Sequence, residues 1–114
     1  MKPLGENRFF RGEVYQVDLN PTKGSEINKV RPCVIVGVEP INRARNTIVV
    51  VPLSSSPSPR PPIVLATDSQ GANSVMVCDQ IRAIDKTCIL KKIGDLKISE
   101  MKLLDESLRI ILGL

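Results

Sequence analysis

Three polar stretches interrupt the apolar runs of this sequence with side chains able to do chemistry. The first, Lys23-Gly24-Ser25-Glu26-Ile27-Asn28-Lys29-Val30-Arg31-Pro32, sets three cations, Lys23, Lys29 and Arg31, within nine positions. Gly24 permits an irregular backbone, and Pro32 disfavours helix at Arg31. The guanidinium is thereby fixed where a loop enters a strand, suited to a bidentate grip on a phosphate. A solvated basic loop is the alternative. The second stretch, Val51-Pro52-Leu53-Ser54-Ser55-Ser56, puts hydroxyls at the end of a buried strand. There they can bond a phosphate oxygen or a sugar hydroxyl, or simply cap a turn. In the third, Cys78-Asp79-Gln80-Ile81-Arg82-Ala83-Ile84-Asp85-Lys86, Asp79 and Gln80 interrupt an apolar stretch. Such a pair must find partners or face a groove, and an ion pair between Asp79 and Arg82 is the simpler outcome.

Absences narrow the chemistry further. The chain has no histidine, which removes the side chain best suited to proton transfer near neutral pH and excludes Ser-His-Asp and Cys-His nucleophile systems. The only aromatic residues are Phe9, Phe10 and Tyr15, too few to stack successive bases on several rings. No phosphate-cradling glycine loop or metal-ligand cluster is present, so neither cofactor nor metal is expected. Cys33, Cys78 and Cys88 are odd in number, lack Cys-x-x-Cys spacing and lie among apolar residues. They read as reduced core residues of a cytoplasmic protein. Nine basic and five acidic side chains fall in residues 1–60 and seven of each in residues 61–114. The excess positive charge therefore sits entirely in the first half, together with an acid-free interval between Glu39 and Asp68, a track suited to a polyanion.

A length of 114 residues suits one domain, expected to span the whole chain with residues 1–10 as a flexible N-terminal arm. The longest apolar run, residues 48–53, contains Pro52 and is far shorter than the roughly 18 residues of a membrane span. Residues 13–19 alternate, with Tyr15, Val17 and Leu19 on one face, as in a half-buried strand. Residues 20–31 form a long loop. Residues 33–38 and 47–53 read as central strands joined by a polar turn at 42–46, and the proline-rich residues 54–62 leave the sheet. Shorter strands are expected over 63–66, 74–78, 80–84 and 87–93. The period then changes: Met101, Leu104, Leu108 and Ile111 mark an amphipathic helix with Ser99 as its N-cap, Glu100 in its first turn, Arg109 near its end and Gly113 after it. Short strands followed by one helix predict a mainly β fold, a small, partly open barrel carrying a C-terminal helix.

The ordered combination Arg11-Gly12-Glu13-Val14-Tyr15-Gln16-Val17-Asp18-Leu19-Asn20-Pro21-Thr22-Lys23-Gly24-Ser25-Glu26, Val30-Arg31-Pro32, Val50-Val51-Pro52-Leu53-Ser54-Ser55 and Asp79-Gln80-Ile81-Arg82-Ala83-Ile84-Asp85-Lys86 resembles the MazF/PemK toxins of bacterial toxin-antitoxin systems. The match runs from Arg11 to the final helix. The resemblance implies a barrel of the CcdB/MazF type, a homodimer, and metal-independent, sequence-specific cleavage of single-stranded RNA. The 2′-hydroxyl would attack the adjacent phosphate and leave a 2′,3′-cyclic phosphate and a 5′-hydroxyl. It also implies a cognate antitoxin whose acidic, disordered C-terminal segment lies across the RNA groove. The family's key arginine falls on Arg31, its threonine on Ser54, and its Gly-Ser-Glu glutamate on Glu26. By the same resemblance Ser25, Lys29, Ser55, Asp79 and Gln80 fall at RNA-binding positions.

Ser25 and Val77 stand where some relatives carry a histidine and an arginine, so catalysis here has to use arginine, hydroxyls and carboxylates. An arginine keeps its proton at any physiological pH. It suits the clamping of a phosphate, while Glu26 or Asp79 would accept a proton. Two other readings compete: a non-catalytic nucleic-acid-binding barrel, and the gyrase-inhibiting branch of the fold, to which a chain ending Leu112-Gly113-Leu114 without tryptophan is less similar. Incubation of the protein with a long single-stranded RNA in EDTA separates them. Discrete fragments with cyclic-phosphate ends are expected; intact but shifted RNA would mark a binder, and inhibited supercoiling without RNA cleavage a gyrase inhibitor.

Overall fold

The structure, a computed structural model, describes residues 8–19, 29–70 and 74–114. In chain order its elements are β1 (Glu13–Asp18), β2 (Val30–Ile35), α1 (Glu39–Ala44), β3 (Thr47–Ser54), β4 (Val64–Thr67), β5 (Ser74–Val77), β6 (Arg82–Asp85), β7 (Ile89–Asp95) and α2 (Ile98–Leu112). Every strand pairing is antiparallel, in the order β4-β5-β3-β2-β1-β7, with β6 also on β3. The first and last strands of this order do not pair with each other, so the barrel stays open.

β3 is the pivot. Its first half pairs with β6, from Thr47↔Asp85 to Val50↔Arg82, and its end pairs with β5 at Leu53↔Met76 and Ser54↔Val75. Its other edge meets β2 at Val34↔Val51 and Cys33↔Pro52. Alternation sends side chains into two cores. Tyr15, Val17, Cys33, Ile35, Ile48, Val50, Ile84 and Ile89 fill one; Val14, Val34, Val51, Leu53 and Met76 fill the other, under Leu104 and Leu108 of α2. From Val50 to Leu53 β3 is buried on both faces and reads as a continuous apolar run, whereas its first half alternates, with Thr47 and Val49 exposed and Ile48 buried.

Several boundaries differ from expectation. β2 begins at Val30 and ends at Ile35, because the amides of Val36 and Gly37 both donate to the Val49 carbonyl, at 3.0 and 3.3 Å, and the ladder slips. The polar turn expected at 42–46 is instead the end of α1. Pro40 in its first turn needs no hydrogen-bond partner for its nitrogen, Glu39 favours the same end, and Arg43 pairs with Glu39 at 3.1 Å. Asn42 Nδ2 donates to the carbonyls of Phe9 (2.7 Å) and Gly37 (2.8 Å). A Cβ at residue 37 would stand 2.5 Å from Asn42 Oδ1, which requires the glycine. Two 3-10 turns, Cys78–Gln80 and Lys86–Cys88, delay the start of the following strands by two residues each. Asp85 caps the second, accepting from Thr87 N at 2.9 Å.

Ser99 is not the cap of α2: the helix starts one residue before it, after Lys97, with no side-chain cap. Gly113 ends the helix in the left-handed region at φ 72°. Phe9, assigned above to an arm, is buried and packs edge-on against Tyr15 with ring centroids 5.3 Å apart. Residues 1–7 lie outside the described residues.

All three cysteines are free; Cys33 and Cys78 are buried and Cys88 is half-buried. Burial pushes the Cys33 thiol up from 9.0 to about 12, and burial beside Glu13 also raises the Tyr15 hydroxyl. Between these two Cys33 values the folded chain holds a proton that the unfolded chain has released. Stability is therefore whole below pH 9 and falls as pH rises above it. The melting temperature is expected to drop steadily from pH 9 to 11 and to drop less in Cys33→Val; a flat profile in the native chain would contradict this burial.

Candidate active site

The candidate site forms where β2 begins and β3 ends. Arg31, the second residue of β2, lies opposite Val17 of β1. On its other side, the pairing Cys33↔Pro52, carried two residues outward on each strand, brings Arg31 level with Ser54. Prolines at 32 and 52 withdraw two amide donors from this edge, so the strands meet through side chains and leave a recess. Arg31, Pro32, Leu53, Ser54 and Ser55 line a cavity of about 200 Å³ together with Gln70 and Ser74.

Within it Arg31 and Ser54 are half-buried and Ser55 is exposed. Ser54 Oγ accepts from the amide of Ser56 at 3.3 Å, which orients the hydroxyl and leaves its own proton to be donated. Arg31 is the one charged side chain among the described residues lining the cavity. Its carbonyl faces Cys33 Sγ at 3.8 Å.

The recess continues into a second cavity of about 350 Å³, which shares Ser55 and Ser74 and adds Ser56, Pro57, Ser58, Pro59, Ala66 and Thr67. Its described walls carry hydroxyls and proline rings but no charge. One side is the proline-rich segment after β3; the other is the end of β4 and the start of β5, held in register by Thr67↔Ser74. Ser74 Oγ donates to the Gln70 carbonyl at 3.0 Å, and Gln70 Nε2 donates to the Ser69 carbonyl at 2.8 Å. A charged recess thus opens onto a neutral, hydrogen-bonding one.

Other expected site residues are distributed differently. Lys29 is exposed at the mouth of the loop, in the left-handed region at φ 67°, and its carbonyl accepts from Leu19 N at 3.0 Å. Ser25 and Glu26 lie outside the described residues. Asp79 and Gln80 are not brought to the cavity of Arg31 and Ser54. They occupy the 3-10 turn packed against α2 and β3. β5 runs back along β3 from Ser54↔Val75, so this turn comes at the far end of that pairing. Asp79 itself is exposed.

Gln70 and Ser74 are groove residues that the sequence marks only faintly. The signal is the polar run from Asp68 to Ser74 between two apolar strands, a run that looks like any other turn until register sets it beside Ser55. Among the described residues, no group of three or more His, Cys, Asp or Glu side chains is arranged to hold a metal ion.

The chain is similar to several known proteins. The family model described as "PemK-like, MazF-like toxin of type II toxin-antitoxin system" matches residues 10–112. The chain is 34% identical over 113 residues to endoribonuclease MazF9 of Mycobacterium tuberculosis, covering 91% of this chain and 96% of that protein. Its fold superposes on a crystal structure of MazF from Deinococcus radiodurans with a TM-score of 0.85 at 16% identity, covering 96% of this chain and all of the other. It also matches an endoribonuclease from a mycobacterial species in complex with its cognate antitoxin, with a TM-score of 0.73 at 23% identity, over 95% and 96% of the two chains. With the family model spanning β1 to the end of α2, the chain belongs to the PemK-like, MazF-like toxins of type II toxin-antitoxin systems.

Proposed function

We propose that this toxin is an endoribonuclease that cuts single-stranded RNA at the recess between β2 and β3. The observation that carries the reading is the shared cavity of Arg31 and Ser54, a cation and a hydroxyl at opposed strand positions in a chain of this family. In the reaction the ribose 2′-oxygen forms a bond to the adjacent phosphorus and the bond to the 5′-oxygen breaks, leaving a 2′,3′-cyclic phosphate and a 5′-hydroxyl. Arg31 clamps the phosphate and offsets the charge that builds on its oxygens as the pentacoordinate state forms. Ser54 donates to a phosphate oxygen or holds the 2′-hydroxyl in line. One carboxylate takes the 2′ proton. Asp79 is off the cavity, so that role is assigned to Glu26, and the leaving oxygen regains a proton from water or from the guanidinium side.

Ser25, Lys29 and Ser55 are assigned to RNA contacts along the same track, whereas Gln80, like Asp79, lies off this cavity. The basic first half of the chain favours both the RNA backbone and the acidic tail of an antitoxin, which would compete for one groove. A homodimer is part of the reading: the hollow of about 420 Å³ bordered by Val49, Ile81, Leu108, Leu112 and Leu114 leaves apolar surface for a second copy to cover. An RNA substrate puts the work of the chain in the cytoplasm, and no helix among the described residues is long and apolar enough to cross a membrane.

Arg31→Ala is expected to lower kcat about 10²-fold or more, the usual cost of removing one preorganised charge-stabilising donor. Arg31→Lys should recover only part of the loss, because an ammonium cannot make the planar two-point contact. Cleavage of a mixed-sequence single-stranded RNA is the measurement, with the same sequence as DNA expected to remain uncut for want of the attacking hydroxyl. Undiminished cleavage by Arg31→Ala would remove Arg31 from the mechanism.

A further inference from the structure

The buried face of α2 carries two polar side chains where an amphipathic helix would ordinarily be apolar. Glu100, Leu104, Ser107 and Leu108 follow one another at spacings of four, three and one on a single stripe, with Leu104, Ser107 and Leu108 buried and Glu100 half-buried. Burying a carboxylate or a hydroxyl is unfavourable unless each is hydrogen-bonded; Glu100 finds its partner in one wall of the uncharged cavity, and Ser107 in the chain that leads out of the other.

Glu100 grips the wall formed by β4 and its turn with both oxygens. Oε1 accepts from Thr67 Oγ1 at 2.9 Å and Oε2 from the amide of Asp68 at 3.2 Å. Thr67 lines the cavity, pairs with Ser74, and receives the amide of Ser69 on its Oγ1 at 3.2 Å. Lys97, just before the helix, donates to Asp68 at 2.6 Å, an exposed contact that reinforces the same turn. The hydroxyl of Ser107, about two helical turns further on, donates to the carbonyl of Pro62. Pro62 ends the proline-rich segment whose Ser55, Ser56, Pro57, Ser58 and Pro59 form the opposite wall. One rigid helix therefore bonds directly to one wall and, further along its axis, to the chain three residues beyond the other.

We infer that Glu100 and Ser107 are positioning residues: Glu100, bonded to one wall of the uncharged cavity, and Ser107, bonded to the chain three residues beyond the other, set its width and thereby the affinity and sequence preference for the nucleotides beside the scissile phosphate. The inference rests on the ribonuclease reading proposed above. The walls offer hydroxyls and backbone groups without charge, which is the equipment for reading base edges rather than gripping phosphate. An uncharged, hydrogen-bonding cleft discriminates only if its donors and acceptors are held at fixed separation, since displacements near 1 Å are enough to cost large factors.

The test compares the native chain with Glu100→Ala and Ser107→Ala, each checked for an unchanged melting profile and oligomeric state. Both variants should raise KM for a fixed single-stranded RNA about tenfold with kcat within about twofold, the pattern of lost binding rather than lost chemistry. Sequenced fragment ends from a mixed-sequence RNA should show relaxed preference next to the cut. Glu100→Gln, which keeps one acceptor for Thr67 but cannot accept from the Asp68 amide, should fall between the native chain and Glu100→Ala. It also carries the test should the alanine variant fail to fold. Unchanged KM and fragment ends, or a fall in kcat at constant KM, would overturn the inference. A fluorescein-labelled, mixed-sequence single-stranded DNA separates the two levels of argument. If the native chain binds this DNA but cuts no RNA, the ribonuclease reading fails, while a tenfold weaker DNA affinity in the variants would still support the role of α2; equal affinity would count against it.

Discussion

β3 is paired along both edges and, from Val50 to Leu53, buried on both faces, and this double confinement organises everything else. A strand in that position cannot shift by one residue without exchanging the contents of two cores. Its partners change along its length, with β6 beside Thr47 to Val50 and β5 beside Leu53 and Ser54. Ser54 is the last residue of the strand, so the hydroxyl stands at the boundary between the most constrained backbone in the chain and a segment that leaves the sheet. Arg31 occupies the matching boundary on β2. The recess arises because two rigid strand ends stop beside each other, each with a proline nearby, rather than from a loop folding over a ligand.

That arrangement accounts for how a chain without histidine can be equipped for phosphate chemistry. A guanidinium that never gives up its charge needs no tuning of its pKa; it needs aim. Aim is supplied by β2, whose Val17↔Arg31 pairing fixes the backbone from the β1 side while the other side stays open to the cavity. Ser54 is oriented in the same economical way, by the amide of Ser56 two residues on. The chemistry and the packing are thus separate in the sequence but adjacent in register.

How much of this could be read beforehand depended on range. Period-two alternation at Tyr15, Val17 and Leu19 and period-3.6 spacing at Leu104 and Leu108 are local signals, and both elements stand close to where those signals put them. The pairing of Arg31 with the serines was legible only through the resemblance, because no local pattern states which strands are neighbours. Helix α1 was missed because its six residues are too few to show a period, although Glu39-Pro40 is a helix-start signal. Ser99 looked like a cap by type, yet the chain entered the helix earlier. Its neighbour Glu100 is turned toward Thr67 and Asp68, a contact more than thirty residues away in sequence. Gln70 and Ser74 were invisible for the same reason. Asp79 and Gln80 were drawn toward the site by type and by the resemblance, and the geometry of β5 carries them away from Ser54, toward the middle of β3 where β6 begins opposite Val50.

The passage from a charged recess to an uncharged one also governs how the groove responds to ionic strength. Each phosphate neutralised by a protein cation releases counterions and steepens the salt dependence of binding, whereas hydrogen bonds from serine, threonine and backbone groups release almost none. Of the described side chains lining the two connected cavities, Arg31 alone carries charge. On the proposed reading, nucleotides against the Ser55 to Pro59 and Thr67 walls would be held by contacts indifferent to salt, so that rising ionic strength would weaken the grip on the backbone and leave the reading of the bases in place.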